Sequence, residues 1–399
     1  MTTPGSMSAA SGPFLTNLPA RGVRVYLDHA ASTPVDPEAH ARVQRVSAIA
    51  GNPASVHAAG VEATREVERA RSRIAGVIGC EPDELLFTSG ATEANNLALK
   101  GVVLGQRGRV PHLLVSAVEH PSVTEPARWL AEAGFARLTM LPVDGEGRLR
   151  PEALADALDA DAVLVSVQHA NNETGVLQDL SSLARVCRRA GVLLHVDASQ
   201  SLCKAPLDVR ALGIDLLTAS GHKLHGPKGV GILYVREGVP LVPLLHGGGH
   251  ERGLRGGTLN APGIAGFGEA VVRYSAADRE YIAGLQRYFE AGLRTRFPDV
   301  RIHGEAAPRV ANITNFALPG RGGKPLFLDL DRRGILVSAS SACHSTLLTP
   351  SPVLIAMGYT EAEANEALRV SFGRGTTAAE LDALLVTLTE LTEGVVPCP

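Results

Sequence analysis

The sequence predicts an α/β protein in which a large domain, built on a mostly parallel sheet, is followed by a smaller α+β domain. Three observations support this prediction. Short apolar runs alternate with helical stretches rich in Arg and Glu, the texture of the sequence changes near residue 275, and 399 residues suffice for one large and one small domain. Short buried strands separated by helices are typical of a parallel sheet covered on both faces.

The large domain is expected over residues 22–275. Residues 1–21 are rich in Ser, Gly, Ala and Pro and are expected to form a flexible lead-in. Helices are expected where apolar residues recur every three or four positions, as in VEATREVERARSRIAGVIG and LSSLARVCRRAG. Six apolar runs are candidate strands, at residues 85–88, 112–117, 162–167, 192–197, 215–220 and 229–235. In such folds ligands bind at the carboxyl ends of the strands.

The small domain is expected over residues 276–399. It opens with a long charged helix, ADREYIAGLQRYFEAGLRTRF, and continues with short strands near 309–318 and 335–338. A final helix is expected after Thr377. The first residues that follow the lead-in are expected to contribute to this small domain as well.

Composition and charge exclude several classes of partner. The net charge is -3, whereas a nucleic-acid surface needs a basic excess. There is no apolar run near the ~20 residues that span a bilayer, and the first residues lack the charged and apolar regions of a secretory signal. We therefore expect neither nucleic acid nor membrane as a partner, and a cytoplasmic location. The five cysteines are widely spaced and contain no C-x-x-C pair, so a disulfide framework or zinc ribbon is not expected.

Lysine is rare in this chain, and its positions are therefore informative. It occurs only at residues 100, 204, 223, 228 and 324, so that 33 of the 38 basic residues are Arg. Two of the five lysines lie in one segment, SGHKLHGPKGVGILY. Arg stays protonated and cannot form an imine, whereas a desolvated Lys amine can lose its proton and attack a carbonyl group. Lys223 is therefore a candidate for imine chemistry.

Three strand ends carry residues that suit one cofactor. SGATEANN follows the strand at 85–88 and leads into a helix, whose free N–H groups can hold a phosphate. Asp197 ends the strand at 192–197, and Lys223 follows the strand at 215–220. A lysine that forms an imine, a carboxylate that keeps a ring nitrogen protonated and a phosphate loop together are typical of a pyridoxal phosphate site. Each element alone is more often structural, since Ser-Gly before a helix is usually a turn with an N-cap.

A metal site is the alternative use of the glycine-rich segments. Four histidines could act as ligands, at His222, His225, His246 and His250. The spacings would suit ligands on a helix, but these segments are glycine-rich turns. We therefore predict no metal.

The ordered motifs of the chain resemble those of the cysteine desulfurases, a family of class V pyridoxal-phosphate enzymes. The resemblance runs from YLDHAASTPVDP at residue 26 to RVSFGRGTT at residue 369, and includes GNPASVHAAG, FTSGATEANN, VEHPSV, NNETGVLQ, HVDASQ, SGHKLHGPKG, GGGHERGLRGGTLN and SSACHS. ACHS and PSPVL are also similar to segments of the selenocysteine lyases. The resemblance implies pyridoxal-phosphate fold type I with a seven-stranded sheet in the large domain.

The resemblance also implies roles for individual residues. Lys223 would bind the cofactor as an imine, Asp197 would pair with its ring nitrogen, and His120 would stack on the ring and take part in proton transfer. Gln200 would bind the ring hydroxyl. The phosphate would be held by Ala91, Thr92, Ser220, Gly221 and His222, and by Thr258 of the neighbouring subunit in a homodimer. The substrate carboxylate would be held by Asn172, which also contacts the cofactor, and by Arg369.

Cys343 distinguishes a desulfurase from an aminotransferase. The resemblance makes it the nucleophile that takes sulfur from L-cysteine, leaving an enzyme persulfide and L-alanine, and then passes the sulfur to an acceptor such as an iron-sulfur scaffold or a tRNA-thiolation protein. A small buried hydrophobe is the alternative for a free cysteine, but the small polar neighbours in SASSACHSTLLTPSP favour a mobile surface loop. The other cysteines are interpreted as structural where they lie in or beside helices, at Cys80, Cys187 and Cys203, and as incidental at Cys398.

Four positions depart from the family pattern, and three rival functions remain open. His29 stands for Asn, His250 for Gln, Gly256 for Ser and Ser340 for Gly. The Ser340 change bears on the freedom of the Cys343 loop, because Gly tolerates backbone angles that Ser avoids. The rivals are a selenocysteine lyase, a class V aminotransferase that needs no Cys343, and a non-catalytic sulfur-transfer scaffold.

Overall fold

The structure is a computed structural model that describes residues 25–106, 108–339 and 349–392. The predicted lead-in at residues 1–21 lies outside these ranges. In chain order, the elements are β1 (Val25–Tyr26), α1 (Pro37–Ser47), α2 (Ala58–Ile78), β2 (Leu85–Thr88), α3 (Ala91–Leu104), β3 (His112–Ser116), α4 (Pro121–Glu132), β4 (Arg137–Leu141), α5 (Pro151–Ala157), β5 (Ala162–Gln168), α6 (Leu180–Ala190), β6 (Leu193–Asp197), α7 (Val209–Leu212), β7 (Leu216–Ser220), β8 (Gly231–Val235), α8 (Ala261–Arg273), α9 (Ala276–Arg296), β9 (Arg301–Ile302), β10 (Ile313–Ala317), α10 (Gly323–Arg332), β11 (Ile335–Leu336), β12 (Ser338–Ala339), α11 (Pro352–Ala356), α12 (Glu361–Asn365), β13 (Ala367–Ser371) and α13 (Ala378–Thr392).

A seven-stranded sheet forms the centre of the molecule, in the order β2-β8-β7-β6-β5-β3-β4. All neighbours are parallel except β8, which is antiparallel to both β2 and β7. The prediction of a mostly parallel, seven-stranded sheet is confirmed, and the six candidate runs are six of its strands. The seventh, β4, was not among them, because it lies at the edge of the sheet, where its residues are mostly exposed or half-buried and no continuous apolar run is required.

The two faces of this sheet contribute to two separate cores. Successive residues of a strand point to opposite faces, and in β2 Leu85 and Phe87 pack into one core while Leu86 packs into the other. The same alternation occurs in β7, where Leu216 and Leu217 lie in different cores. Helices cover both faces, as the short buried strands predicted.

A four-stranded antiparallel sheet lies in the carboxyl-terminal part, in the order β12-β13-β10-β9. The predicted helices and strands of this part are present, and the expected boundary near residue 275 falls between α8 and α9. The division into two domains stays a prediction. The start of the described chain joins this part, because β1 pairs in parallel with β11 and Asp28 forms a bridge with Ser371. In the described residues no helix is long and apolar enough to cross a membrane.

Candidate functional site

A cavity of about 600 Å³ opens at the carboxyl ends of β5, β6 and β7. This is where parallel α/β sheets bind their ligands. Its volume is in the range of small-molecule sites, roughly 300–1,000 Å³. Ten of the predicted site residues line the cavity: Ala91, Thr92, His120, Asn172, Asp197, Gln200, Ser220, His222, Lys223 and Arg369.

One end of the cavity is formed by the loop between β2 and α3. The helix begins at Ala91, and Gly90 before it has no side chain that could cap the helix. The first N–H groups of α3 therefore form a site at which an anion can bind. The backbone packs tightly here, because a Cβ on Gly231 would lie 2.6 Å from the carbonyl carbon of Gly90. A glycine is therefore required where β8 passes behind the loop.

The carboxylate of Glu93 also lines this end of the cavity. It accepts hydrogen bonds from Arg255 Nε at 2.8 Å and from the Ser89 backbone N–H at 2.8 Å. Burial raises the pKa of Glu93, but these hydrogen bonds outweigh burial and leave the pKa below its usual value. The negative charge is thus compensated by Arg255, so that it does not oppose an anion at the helix terminus.

Ser220, the last residue of β7, and His222, on the turn that follows it, also line the cavity. Burial, together with the charges of Lys223, Lys228 and Lys204, lowers the pKa of His222 to about 4. At neutral pH the imidazole is therefore uncharged and offers one N–H. Its Nδ1 lies 3.3 Å from Ser32 Oγ.

Asp197 ends β6, and only 6% of its surface is exposed. Its Oδ2 accepts a hydrogen bond of 2.8 Å from Asn95 Nδ2, and its Oδ1 accepts one of 2.9 Å from the Ser199 backbone N–H. Both donors are neutral. A buried carboxylate held by neutral donors is well suited to a cationic ligand group such as a protonated ring nitrogen.

Several buried polar atoms of the cavity residues lack a hydrogen-bond partner within the described ranges. They are Asn172 Oδ1, Ser199 Oγ, Gln200 Oε1 and Arg369 Nε. A buried polar atom without a partner costs on the order of 1–3 kcal/mol, so such atoms converging on one cavity indicate a polar ligand. Gln200 is held in place from its other end, because its Nε2 donates to Ala30 O at 2.8 Å.

Two predicted catalytic groups line the cavity from different elements. Lys223 lies in the single turn that follows β7, and its Nζ donates to Ala30 O at 2.6 Å and to Ala31 O at 2.9 Å. His120 is the N-cap of α4, where its Nδ1 accepts from the Ser122 N–H at 3.1 Å. Both side chains line the cavity.

Arg369 closes the opposite end of the cavity. It lies in β13 and is 3% exposed. Its Nη2 donates to Asp28 Oδ1 at 2.8 Å, and its Nη1 donates to Asn172 O at 2.8 Å. These contacts fix the guanidinium plane, which can bind a carboxylate through two parallel hydrogen bonds.

Two predicted site residues within the described ranges do not line the cavity. Gly221 lies behind the turn, where its N–H donates to Val230 O at 3.0 Å, so that it supports Lys223 rather than lining the cavity. Thr258 is exposed and lies away from this chain's own cavity. Cys343 falls outside the described residues, as do Ser340 and Cys398.

The three described cysteines are free thiols with little nucleophilic character. Burial raises the pKa of Cys80, Cys187 and Cys203 to about 12 in each case. The thiolate is the reactive form, so these side chains stay protonated and inert at neutral pH. The expectation that all three lie in or beside helices is wrong for Cys203, which lies in a turn with φ 61°.

The histidine-based metal alternative gains no support. Across the described ranges, no group of three His, Cys, Asp or Glu side chains could hold a metal ion. His225 Nδ1 contacts Pro34 O at 2.9 Å, and His250 Nδ1 contacts Gly248 O at 2.6 Å. These histidines are occupied with backbone carbonyls instead of converging.

Two residues that form hydrogen bonds to predicted site residues were not themselves predicted from the sequence. Asn95 lies one helical turn after Thr92, so its position in FTSGATEANN was a usable signal for a side chain facing the same site. Asp28, in YLDHAAS, holds Arg369, but the two are 341 residues apart and no local pattern connects them.

Comparison with known proteins agrees with this geometry. The family described as Aminotransferase class-V matches residues 25–384. The chain is 39% identical to "Cysteine desulfurase IscS" of Dictyoglomus turgidum, over 92% of this chain and 94% of that protein. It is 41% identical to "Cysteine desulfurase, mitochondrial" of Candida albicans, over 92% of this chain and 76% of that protein.

Solved structures give the same result. A protein described as "NIFS-LIKE PROTEIN" is similar with a TM-score of 0.86 and 35% identity, covering 93% of this chain and 100% of that one. A structure described as "SspA in complex with cysteine" is similar with a TM-score of 0.80 and 32% identity, covering 89% of this chain and 100% of that one.

Proposed function

Since this chain belongs to the class-V aminotransferase family and is a cysteine desulfurase by homology, we propose that its cavity binds pyridoxal phosphate at Lys223 and that sulfur passes from L-cysteine to Cys343. The product is L-alanine. The observation that carries this proposal is the convergence on one cavity of Lys223, Asp197 and, among the described residues, four buried polar atoms without partners. A cofactor with a phosphate, a ring nitrogen and a ring hydroxyl, together with an amino-acid substrate, would supply polar partners at this site.

The residues present fit this cofactor. The phosphate would lie on the N–H groups of Ala91 and Thr92, beside Ser220 and neutral His222. The ring nitrogen would face Asp197, the ring hydroxyl would face Gln200, and His120 would cover one face of the ring. When bound, pyridoxal phosphate supplies an electron-withdrawing ring that stabilises negative charge at the Cα of an amino acid.

The chain's own groups hold the substrate and move its protons. Arg369 binds the substrate carboxylate with its planar fork, and Asn172 offers the amide beside it. Asp197 would keep a proton on the ring nitrogen, because a carboxylate close to a basic group favours the charged, protonated form of that group. Lys223 Nζ takes the proton from the substrate Cα, since a neutral lysine amine is a competent general base.

Cys343 completes the reaction. Its thiolate attacks the substrate sulfur, an S–S bond forms, and the Cβ–S bond breaks. The electron pair of the broken bond stays on the substrate carbon, which gains a proton and becomes the methyl group of alanine. The enzyme keeps the sulfur as a persulfide, which an acceptor protein then removes. We propose an iron-sulfur scaffold or a tRNA-thiolation protein as acceptor, and the cytoplasm as the location.

A homodimer is part of the proposal. Thr258 is exposed and lies away from its own cavity, which is consistent with a residue that reaches the phosphate of the neighbouring subunit. The site of one chain would then be complete only in the assembly.

The test measures alanine released from L-cysteine and, in parallel, from L-selenocysteine. The variants are Cys343→Ser and Lys223→Ala. The matched control is Lys100→Ala, at a half-buried lysine whose amine lies over the Trp129 ring and not in the cavity. We expect both site variants to lose alanine formation from cysteine, and the control to keep it. Release only from selenocysteine indicates the lyase, release that depends on a keto acid indicates an aminotransferase, and the absence of a cofactor absorption band indicates a non-catalytic scaffold.

A further inference from the structure

We propose that Asn95 and Ser122 connect Asp197 to His120 in a hydrogen-bond relay, and that the relay keeps the His120 imidazole neutral with its proton on Nε2. The relay consists of these four side chains. The inference rests on the proposed function, because it concerns the histidine that would cover the cofactor ring and take part in proton transfer. Asn95 and Ser122 act through their neighbours, so they are positioning residues and not catalytic ones.

The four side chains form one continuous series of contacts. Asn95 Nδ2 lies 2.8 Å from Asp197 Oδ2 and 2.9 Å from Ser122 Oγ. Ser122 Oγ in turn lies 2.8 Å from His120 Nδ1. Asn95 is fully buried, and Ser122 and Asp197 are 8% and 6% exposed. Hydrogen bonds in such a buried environment are stronger than those in water and polarise one another.

The direction of the relay is set at Asp197. A carboxylate can only accept, so the Asn95 atom beside it must be the amide nitrogen, which carries two hydrogens. One hydrogen is donated to Asp197 Oδ2 and the other to Ser122 Oγ. Asn95 Oδ1 has no hydrogen-bond partner within the described part of the chain. This is unfavourable for a buried oxygen, but the opposite orientation of the amide would direct an oxygen at the carboxylate and lose both hydrogen bonds.

The other end of the relay is set by the start of α4. Its first residue is Pro121, which has no N–H, so the Ser122 N–H is the first that needs an acceptor. His120 Nδ1 accepts it at 3.1 Å. A nitrogen that accepts carries no proton, so the proton of the neutral imidazole lies on Nε2. The Ser122 hydroxyl, which accepts from Asn95, donates its own hydrogen to the same Nδ1.

The relay opposes the protonation of His120. A proton on Nδ1 would face the Ser122 N–H and displace the hydrogen of the Ser122 hydroxyl, so these hydrogen bonds favour the neutral imidazole. A neutral ring suits the proposed site, because an imidazolium stacked on a ring with a protonated nitrogen would bring two positive charges together. Nε2 is then the nitrogen through which His120 would exchange protons with a ligand.

Several titratable groups contribute to the electrostatic potential at His120. Glu119 precedes it in the chain and is buried, its Oε1 accepts from the Gln168 N–H at 2.6 Å, and burial raises the pKa of Glu119 well above its usual value. The others line one of the two cavities that His120 also lines: Glu93 and Lys100 from α3, Glu125, Arg128 and Glu132 from α4, Asp197 from β6, His222, Lys223 and Lys228 from the segment after β7, and Arg369 from β13. All of these groups are unchanged in the variants compared below, so a difference between variants reports on the relay.

The experiment is a pH titration of the holoenzyme by NMR, with histidine labelled with ¹⁵N at Nδ1 alone. Protonated and unprotonated ring nitrogens give well-separated resonances, and the His120 resonance is identified by its absence in His120→Gln. We expect Nδ1 of His120 to be unprotonated in wild type at neutral pH. In Ser122→Ala the midpoint of its protonation should rise by about half to one pH unit, the equivalent of one hydrogen bond.

Two further variants separate the hydroxyl from general effects on α4. Ser122→Thr keeps the hydroxyl and should restore the wild-type midpoint. Thr124→Val removes a buried hydroxyl from the same helix and is the matched control. An equal midpoint in wild type and Ser122→Ala overturns the inference. A lower midpoint in Ser122→Ala overturns it as well, since Ser122 would then accept a proton from Nδ1 and the relay would run in the opposite direction.

The part of Asn95 is tested by a double variant. Because Asn95 acts through Ser122, Asn95→Ala should raise the midpoint as well, and Asn95→Ala combined with Ser122→Ala should raise it no further than Ser122→Ala alone. Additive shifts would show that Asn95 and Ser122 act separately and would overturn the connection to Asp197. If Asn95→Ala does not fold, Asn95→Ser takes its place in both measurements.

The same titration distinguishes this inference from the proposed function. A protein that binds no pyridoxal phosphate overturns the proposed function. The relay is built from the chain's own residues, so its four contacts are measured in the same way in the protein without cofactor. A protonated Nδ1 at neutral pH in that protein and in the holoenzyme would overturn the relay, whatever the cofactor does.

Discussion

The buried carboxylate of Glu173 accepts a hydrogen bond of 2.5 Å from the hydroxyl of Ser351. Glu173 follows Asn172 at the substrate end of the cavity, and Ser351 is the N-cap of α11, eight residues after Cys343 in the sequence. The contact thus connects the proposed substrate site to the chain segment that follows the sulfur carrier. Burial raises the pKa of Glu173 to about 7, although Ser351 and the charge of Arg369 act in the opposite direction.

Glu173 makes stability depend on pH. Its folded pKa, about 7, exceeds the ordinary Glu value of 4.5, so unfolding releases a proton between these values and wild type loses stability as the pH rises through this window. Glu173→Gln should remove this loss and gain roughly 3 kcal/mol over wild type between pH 4.5 and 7. Urea unfolding at pH 5 and pH 7.5 measures the difference in the free energy of unfolding between Glu173→Gln and wild type. The exposed change Glu62→Gln is the control. Equal gains at the two pH values would contradict the prediction.

Asn95→Ala should weaken cofactor binding without unfolding the protein. It removes the hydrogen bond from Asn95 to Asp197, and hydrogen bonds to charged groups contribute about 1.5–3 kcal/mol. We expect the Kd of pyridoxal phosphate to rise about tenfold or more on this basis, as measured by absorbance titration. The neighbouring Asn96→Ala, which loses only a bond to Thr92 O, is the control. A Kd equal to that of the control would show that Asn95 does not hold Asp197 for the cofactor.

Arg369→Lys should raise the KM for L-cysteine about tenfold or more, because lysine cannot bind a carboxylate through two parallel hydrogen bonds. The change also breaks the contacts with Asp28 and Asn172 that orient the guanidinium. Steady-state alanine release measures KM, and Arg301→Lys, which alters a surface ion pair with Glu363, is the matched change. An unaltered KM would remove Arg369 from the substrate site.

The buried ion pair of Arg71 and Glu251 should be important for stability. Arg71 Nη2 lies 2.8 Å from Glu251 Oε1, and Glu251 also accepts from the Phe87 N–H at 2.6 Å. Arg71→Met leaves the carboxylate buried and unpaired, which costs about 3–5 kcal/mol. Urea unfolding should show this loss, whereas Arg69→Met, on the exposed side of α2, should change stability by less than about 1 kcal/mol. If Arg71→Met also lowered the free energy of unfolding by less than about 1 kcal/mol, the ion pair would not be important for stability.

Mixed dimers test whether Thr258 serves the neighbouring site. Lys223→Ala and Thr258→Ala are each expected to lower activity as homodimers. When both chains are coexpressed, one site of each mixed dimer combines an intact Lys223 with an intact Thr258 from the other chain. We therefore expect the purified mixed dimer to show about half of the wild-type alanine release per dimer. Activity no higher than the mean of the two homodimers would place Thr258 outside the shared site.

Two central residues of the site could be predicted from the sequence because they lie at or just after the ends of strands. Asp197 and Lys223 follow continuous apolar runs, and the topology of a parallel sheet brings such positions to one edge. Contacts that depend on long-range pairing could not be predicted in this way. Asp28 and Arg369 meet through the bridge of Asp28 with Ser371, a pairing that depends on the whole fold. The left-handed backbone of Cys203 could not be predicted either, because the sequence has no glycine at that position as a signal.

The pairing of β1 with β11 determines when the site can form during synthesis. Residues 25 and 26 leave the ribosome early, but their partners at 335 and 336 are made some 310 residues later. At a rate of synthesis of about 5–20 residues per second, residues 25 and 26 therefore remain unpaired for tens of seconds. The cavity wall from β2 to β8 can fold first, and the Asp28–Arg369 contact can form only when translation is nearly complete. A truncated chain that folds its central sheet would therefore carry a lysine and a carboxylate ready for the cofactor and yet be unable to select a substrate.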